Sequence, residues 1–444
     1  VGGAIAAGHP FTAEAGAATL AAGGNAVDAC LAAVFAAFVA EGPLTGPSGG
    51  GFLLVREPHG EAVLVDCFFA VPSRPPGEMD DIVIDFADAS TQVFHVGEES
   101  VAVPGLVAGL DHAHCRFGRL AWSALVEPAI ALARQGVPVN EAQAFLHEIL
   151  VPILHREEGG RRIYGHGSPL RTGELVPALE LIRDARAGAL PQLLPDLRAD
   201  LESYEVRESL PLTARFGETT LVTTPAPSIG GAVVRDAFAL GLRDGSPCGW
   251  AHAIGSAYGA LRQPTRLTGT THISVVDADG RVAALSSTLG SGSGVFRHGF
   301  QLNNMLGELD VIGAGPRVPG ERLRSMMAPT LVLLGGEPRL VLGSAGSVRL
   351  AGAIAQVAAR VLGGMPVAEA VAAPRLHVDG TTVHLEGGWS TEAAEELAAA
   401  GWDVVPWAGR NLFFGGASAV ERRADGSLAA AGDPRRGGHG VVVA

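Results

Sequence analysis

The chain contains no lysine, so all 32 of its basic residues are arginine. That absence removes whole reaction classes, because no ε-amine is available for a pyridoxal Schiff base, a P-loop or a serine-lysine dyad. Cysteine is also scarce. Cys30, Cys67, Cys115 and Cys248 lie far apart and form no CxxC pair, so neither a zinc knuckle nor a disulfide framework is expected, and a reducing, cytoplasmic compartment fits best. No run of basic residues interrupts a net charge of -14, which disfavours nucleic acid and anionic membrane as partners. The longest apolar stretch, Ala26 to Ala40, carries Asp28 and falls short of the roughly 20 residues a membrane span requires. It reads as a buried helix. No charged-then-apolar leader opens the sequence, so a secretory signal is not expected.

What is present is ample material for a packed core: 444 residues, 47% hydrophobic and only 18% charged, with 61 glycines. The segment "TAEAGAATLAAGG" predicts a helix stopped by Gly23 and Gly24, with Asn25 capping the apolar helix that follows. After "GPSGGG" the period changes from 3.6 to 2, and "FLLVRE" and "AVLVDCFF" predict a hairpin in the core. Helical signals dominate from about Pro104 to Arg186. From Thr270 strands return: "THISVVD" and "RVAALSST" around an ADG turn, then "TLVLLGG" and "PRLVLGSAGS", a helix from Arg349, and a closing strand-turn-strand in "SAVERRADGSLAAAGD". The segments "PSRPPGEMDDIVIDFADAST" and "LRDGSPCGW" read as surface connections. Antiparallel sheets covered by helices, an α+β architecture, are the expectation.

One stretch carries chemistry. In "RLTGTTHISVVD" a lone glycine, Gly269, precedes Thr270, Thr271 and His272 at a strand start. A threonine hydroxyl is a weak nucleophile unless a base takes its proton, and the nearest base is the residue's own α-amine once the preceding peptide bond is cut. That amine titrates at about 7.7 to 8.0, close enough to neutrality to shuttle protons. Thr-Thr is also ordinary strand composition, and His272 equally reads as a half-buried strand residue.

The wider pattern decides between these readings. "GHPFTAEAGAATLAAGGNAVDA", "GPSGGGFLLV", "VAVPGLVAGL", "TTHISVVDADG", "LNN", "APTLVL", "GSAGSVRL" and "GDPRR" resemble, in order and spacing, the γ-glutamyltransferase family, also called γ-glutamyltranspeptidases, from about residue 6 to 437. The resemblance implies an N-terminal-nucleophile hydrolase with a four-layer αββα sandwich and an added helical region. It implies a precursor that cuts itself before Thr270 into associating segments 1–269 and 270–444. It also implies Thr270 as nucleophile, Thr288 as the supporting second threonine, and the amides of Gly346 and Ser347 as oxyanion donors. Amides at a helix start suit that last task, although "GSAGS" also spells a plain strand-to-helix turn. No metal or cofactor is implied, and "DHAHC", with His112, His114 and Cys115, lacks a second ligand cluster.

The residues that would hold a γ-glutamyl group depart from the family. Phe68 stands where an arginine is expected, and a phenyl ring cannot form a bidentate pair with a carboxylate. Gly290 replaces an asparagine, Met305 follows Asn304 where a polar residue is expected, Glu308 replaces an aspartate, and Arg324 with Ser325 replaces a serine pair. The expectation is a more apolar slot made by Phe68, Met305 and Gly290, with Arg324 binding a carboxylate opposite Glu308. The leading function is then an autoprocessed threonine hydrolase acting on a small molecule, resembling the subset linked to carbon-carbon bond hydrolysis in the biosynthesis of 4-alkyl-proline antibiotic units. Hydrolysis or transfer of a γ-glutamyl or other amide is the second enzyme reading, and a catalytically dead binding scaffold the third.

Overall fold

The computed structural model describes residues 2–75, 77–85, 91–242, 245–259, 269–313 and 315–444. Two antiparallel sheets stack face to face, and helices cover the outer face of each. The first sheet has seven strands in the order His439–Val443, Gly3–Ala7, Gly269–Asp277, Val282–Gly290, Gly50–Arg56, Ala62–Cys67 and Arg207–Ser209. The second has six: Leu428–Gly432, Gly416–Arg422, Glu337–Ala345, Thr330–Leu334, Thr219–Thr223 and Leu212–Phe216.

Period-two alternation assigns the two faces of the first sheet. Ile5, Leu53, Ile273 and Val275 point outward to the helices Pro10–Ala21, Ala26–Ala40 and Trp122–Gln135. Ala4, Phe52, Leu54 and Val276 point inward, toward the face of the second sheet that carries Val341, Gly343 and Val420. The helices Gly230–Ala239, Pro247–Gly259 and Leu350–Leu362 close the far side. This is the four-layer αββα sandwich expected, and the added helical region spans Leu106 to Ala185.

Local rules placed most elements. Asn25 forms a capping box with Asp28 at the start of the helix Ala26–Ala40, all 15 residues of which are buried. Among the described residues no helix is long and apolar enough to cross a membrane. Two segments differ from the sequence reading. Part of the expected surface connection after Pro72 is a paired hairpin, Asp80–Asp85 with Thr91–Val96; residues 86–90 of it lie outside the described residues. In "LRDGSPCGW" the helix Pro247–Gly259 already begins at Pro247, a residue favoured in a first helical turn, and residues 243 and 244 lie outside the description. A small sheet of Leu376–Asp379, Thr382–Leu385 and Asp403–Pro406 was not anticipated.

Candidate active site

Thr270 sits second in the strand Gly269–Asp277, buried between the sheets. Its partner strand is irregular at this level. Ser287 pairs with Thr271 and Gly290 with Gly269, so Thr288 and Leu289 together oppose Thr270 in a bulge. The bulge is pinned from both sides: Leu289 N–H donates to the Leu44 carbonyl at 3.1 Å, and Asn304 N–H donates to the Leu289 carbonyl at 3.0 Å. Its consequence is that the Thr288 hydroxyl donates to the carbonyl of Gly269, the bond expected to be cut, and accepts from Gly290 N–H at 2.8 Å. A donor on that oxygen polarises the carbonyl toward attack. Gly269 has to be small, because an added Cβ would lie 2.6 Å from the Gly290 carbonyl oxygen. Residues 266–268 of the motif lie outside the described residues.

His272 has both ring nitrogens occupied by serine hydroxyls. It is buried between Ser286 Oγ, 2.8 Å from Nδ1, and Ser274 Oγ, 2.9 Å from Nε2. Ser274 Oγ already donates to the Ser418 carbonyl at 3.0 Å, so it accepts from Nε2–H and leaves Nδ1 to accept from Ser286. Burial pushes the imidazole down to about 3 and keeps it neutral. Gly343 makes its space: an added Cβ there would be 2.3 Å from Nδ1.

Beside Thr270, the strand Glu337–Ala345 ends in Gly346 at φ +124° and Ser347 at φ +58°. A left-handed serine is uncommon and costs about 1 kcal/mol or more. The turn is held in place nonetheless. Tyr258 donates its hydroxyl to the Val348 carbonyl and accepts from Gly352 N–H at 3.1 Å, while Arg349 Nε donates to the Gly346 carbonyl at 3.3 Å. A 3-10 turn, Ser347–Arg349, leads from there into the helix Leu350–Leu362. Tyr258 and Arg349 were missed in the sequence because their spacing from Gly346 carries no signal.

The residues expected to bind substrate separate into two groups. Gly290, Asn304 and Glu308 come together next to the bulge. Asn304 Oδ1 accepts from Ser291 N–H at 2.7 Å and Gly292 N–H at 3.1 Å, and Glu308 Oε1 accepts from Ser291 N–H and Oγ, both at 2.8 Å. Burial lifts the Glu308 carboxyl to about 7 against these hydrogen bonds. A Cβ at Gly290 would stand 2.3 Å from Asn304 Oδ1, so only glycine fits there. Phe68 and Met305 instead join the inter-sheet core. The Phe68 ring is 1% exposed, stacks on Phe52 at 5.2 Å and meets Phe69 edge-on at 4.9 Å. Ser325 is buried, with Oγ accepting from Met327 N–H at 3.0 Å.

Arg324, expected to face Glu308, is exposed. The guanidinium turned inward in this segment is Arg322, which stacks over the Tyr204 ring at 4.1 Å and lies 3.6 Å from Asp66. The segment bridges Ala70 at Arg322 and Ser228 at Ser325, so its path between two separate edges, rather than simple alternation, chooses the inward residue. His112 and His114 of "DHAHC" serve the surface, contacting Glu208 and the Leu120 carbonyl.

Comparison with known proteins identifies the family and the fold. The sequence profile described as Gamma-glutamyltranspeptidase matches residues 12–184 and 247–443. The glutathione hydrolase proenzyme of Pseudomonas aeruginosa is 30% identical over 538 residues, covering 100% of this chain and 95% of that protein. The acylase ACY 1 proenzyme of a Pseudomonas species is 27% identical, covering 98% and 92%. Cephalosporin acylase from Bacillus halodurans superposes with a TM-score of 0.84 over 99% of this chain and 95% of its own, at 19% identity, which establishes a common fold. The chain belongs to the γ-glutamyltranspeptidase family, whose members are N-terminal-nucleophile hydrolases and transferases.

Proposed function

We propose that this family member matures by cutting itself before Thr270 and then uses the freed threonine to hydrolyse a small molecule that is not a simple γ-glutamyl amide. In the first step Thr270 Oγ attacks the Gly269 carbonyl, the amide nitrogen departs as the new α-amine, and water resolves the ester to leave a carboxylate on Gly269. Segments 1–269 and 270–444 then stay associated, because strand Gly269–Asp277 is the third of seven in a sheet with members from both segments. Thr288 supports the attack, and the amides of Gly346 and Ser347 receive the oxyanion.

The observation that carries the altered specificity is the Phe68 ring, enclosed by Phe52 and Phe69 where the family resemblance calls for an arginine. A buried ring offers nothing to a glutamate carboxylate. The finer reading is hydrolysis of a carbon-carbon bond in the formation of 4-alkyl-proline units for an antibiotic. There the threonine attacks a ketone, the departing carbon leaves as an enolate or enamine and is protonated, and water releases the acyl group as a carboxylic acid. Four free cysteines fit the reducing cytoplasm as the site of action.

A second reading is cleavage of an amide other than a γ-glutamyl one, favoured by full-length similarity to the acylase ACY 1 proenzyme. Purified protein offered a γ-glutamyl anilide, another acyl anilide and a cyclic enaminone amino acid separates the three. Loss of the enaminone absorbance with release of a carboxylic acid supports the carbon-carbon reading. Rapid aniline release from the γ-glutamyl compound, with the enaminone untouched, would overturn both the altered specificity and the carbon-carbon step.

A further inference from the structure

Thr270 lies between two unlike flanks. On the side of the strand Val282–Gly290 stand Gly290, Asn304 and Glu308; on the side of Gly3–Ala7 stand Gly8, Glu41 and Arg436. Two adjoining hollows share Gly8, Glu41, Leu44 and Arg436: one contains Thr270, and the other runs on past His147 and Leu412. If Asn304 and Glu308 bind the acyl end, as the family resemblance implies, a substrate spanning Thr270 carries its leaving portion into the hollows on the second flank.

Arg436 differs sharply from its neighbour in sequence. Arg435 is saturated, with Nε and Nη2 on Glu386 at 2.7 and 2.5 Å and Nη1 on Asp433 at 3.1 Å. Arg436 has no ion pair and no side-chain hydrogen bond among the described residues, and its Nε is buried without an acceptor. The carboxylates near enough to act on it are Asp433 and Glu41, and both are engaged elsewhere. Asp433 Oδ2 accepts from Arg375 at 2.6 Å and Ala417 N–H at 2.8 Å. Glu41 accepts from the Thr12 hydroxyl at 2.7 Å and the Thr271 hydroxyl at 2.6 Å, and burial raises its carboxyl above the usual range.

The guanidinium is also held in position. Its stem crosses Gly416, where an added Cβ would lie 2.3 Å from the arginine Cδ. His9 and His147 along the hollow are pushed down to about 4 by burial and are neutral at pH 7, whereas Arg436, lowered to about 10, remains charged. An unpaired buried cation is costly, and a ligand carboxylate is its natural partner.

We infer that Arg436 anchors a carboxylate on the leaving portion of the substrate, across Thr270 from the acyl pocket. This rests on the reading of Thr270 as the reacting residue, yet its test needs no turnover. Calorimetric titration of the matured protein compares 5-amino-2-nitrobenzoate with 4-nitroaniline, which is the same ring without the carboxylate. The wild type binds the benzoate at least about tenfold more tightly, and Arg436→Gln brings the two within about twofold while leaving 4-nitroaniline unchanged. Equal affinities in the wild type, or a preference that persists in Arg436→Gln, would overturn the inference. Should Arg436→Gln fail to fold, phenylglyoxal labelling of the wild type decides: the benzoate slows modification of Arg436, read by peptide mass mapping, and labelling at an unaltered rate refutes the assignment. Failure of the proposed function shows separately, as the absence of cleavage before Thr270 or of any bond cleavage in the substrate panel.

Discussion

The main-chain floor beside Thr270 and the side-chain wall of the core around Phe68 are built by different means. On the floor, main-chain groups do the placing: a bulge sets Thr288 on the Gly269 carbonyl, and Gly346 and Ser347 turn left-handed where the strand Glu337–Ala345 ends. In the wall, side chains decide everything, with Phe68 stacked on Phe52 and Met305 in the same inter-sheet core. Backbone geometry is set by the whole sheet and resists change, while a wall of side chains can be altered one residue at a time. This is why chemistry can stay fixed while specificity drifts.

The sharpest way to break that contrast is Thr270→Ala. It abolishes both self-cleavage and turnover, giving one full-length band and one intact mass where the wild type gives two fragments; cleavage persisting in the variant would remove the nucleophile from the floor. Thr288→Ala is next. Losing the donor on the Gly269 carbonyl slows maturation by about 10²- to 10³-fold, measured as the rate of fragment appearance, whereas Thr288→Ser keeps most of it.

The wall is probed through stability. Phe68→Ala opens a cavity between Phe52 and Phe69 and costs about 3 to 5 kcal/mol in denaturant unfolding, with fragment formation preserved in the folded protein. Glu308 gives a smaller, pH-dependent effect. Its carboxyl is raised from 4.5 to about 7 by burial, so the folded state holds this proton more tightly than the unfolded chain does. Its contribution is complete below about 4.5 and is lost as pH rises through about 7. Melting temperature therefore falls across that window in the wild type, and Glu308→Gln flattens that part of the curve. Arg324→Ala should do least: the side chain is exposed, and the Michaelis constant changes by less than about twofold. A steep rise would return Arg324 to the carboxylate role that the sequence suggested.

The legibility of the site follows the same division. The family resemblance named Thr270, Thr288, Gly346 and Ser347, and the structure sets Thr288 on the Gly269 carbonyl and gives Gly346 and Ser347 positive φ. Asn304 and Glu308, also named from the resemblance, lie together beside Gly290. Which arginine of "ERLRS" turns inward could not be read, because its path depends on the edges at Ala70 and Ser228. Glu41, Tyr258 and Arg436 left no local mark, since each acts on a partner 90 or more residues away in the chain or owes its role to an absent partner.

By itself the sequence determined the two periodicities, the caps and turns, and hence the layered α+β architecture, because these depend on neighbours within a few residues. It also determined that no lysine chemistry was possible. Tertiary structure alone decided that His272 is neutral and enclosed by serines, that Phe68 belongs to the core, and that Arg435 is saturated while Arg436 is not. Charge state and pairing depend on which distant groups surround a side chain after burial, and no spacing along the chain encodes them.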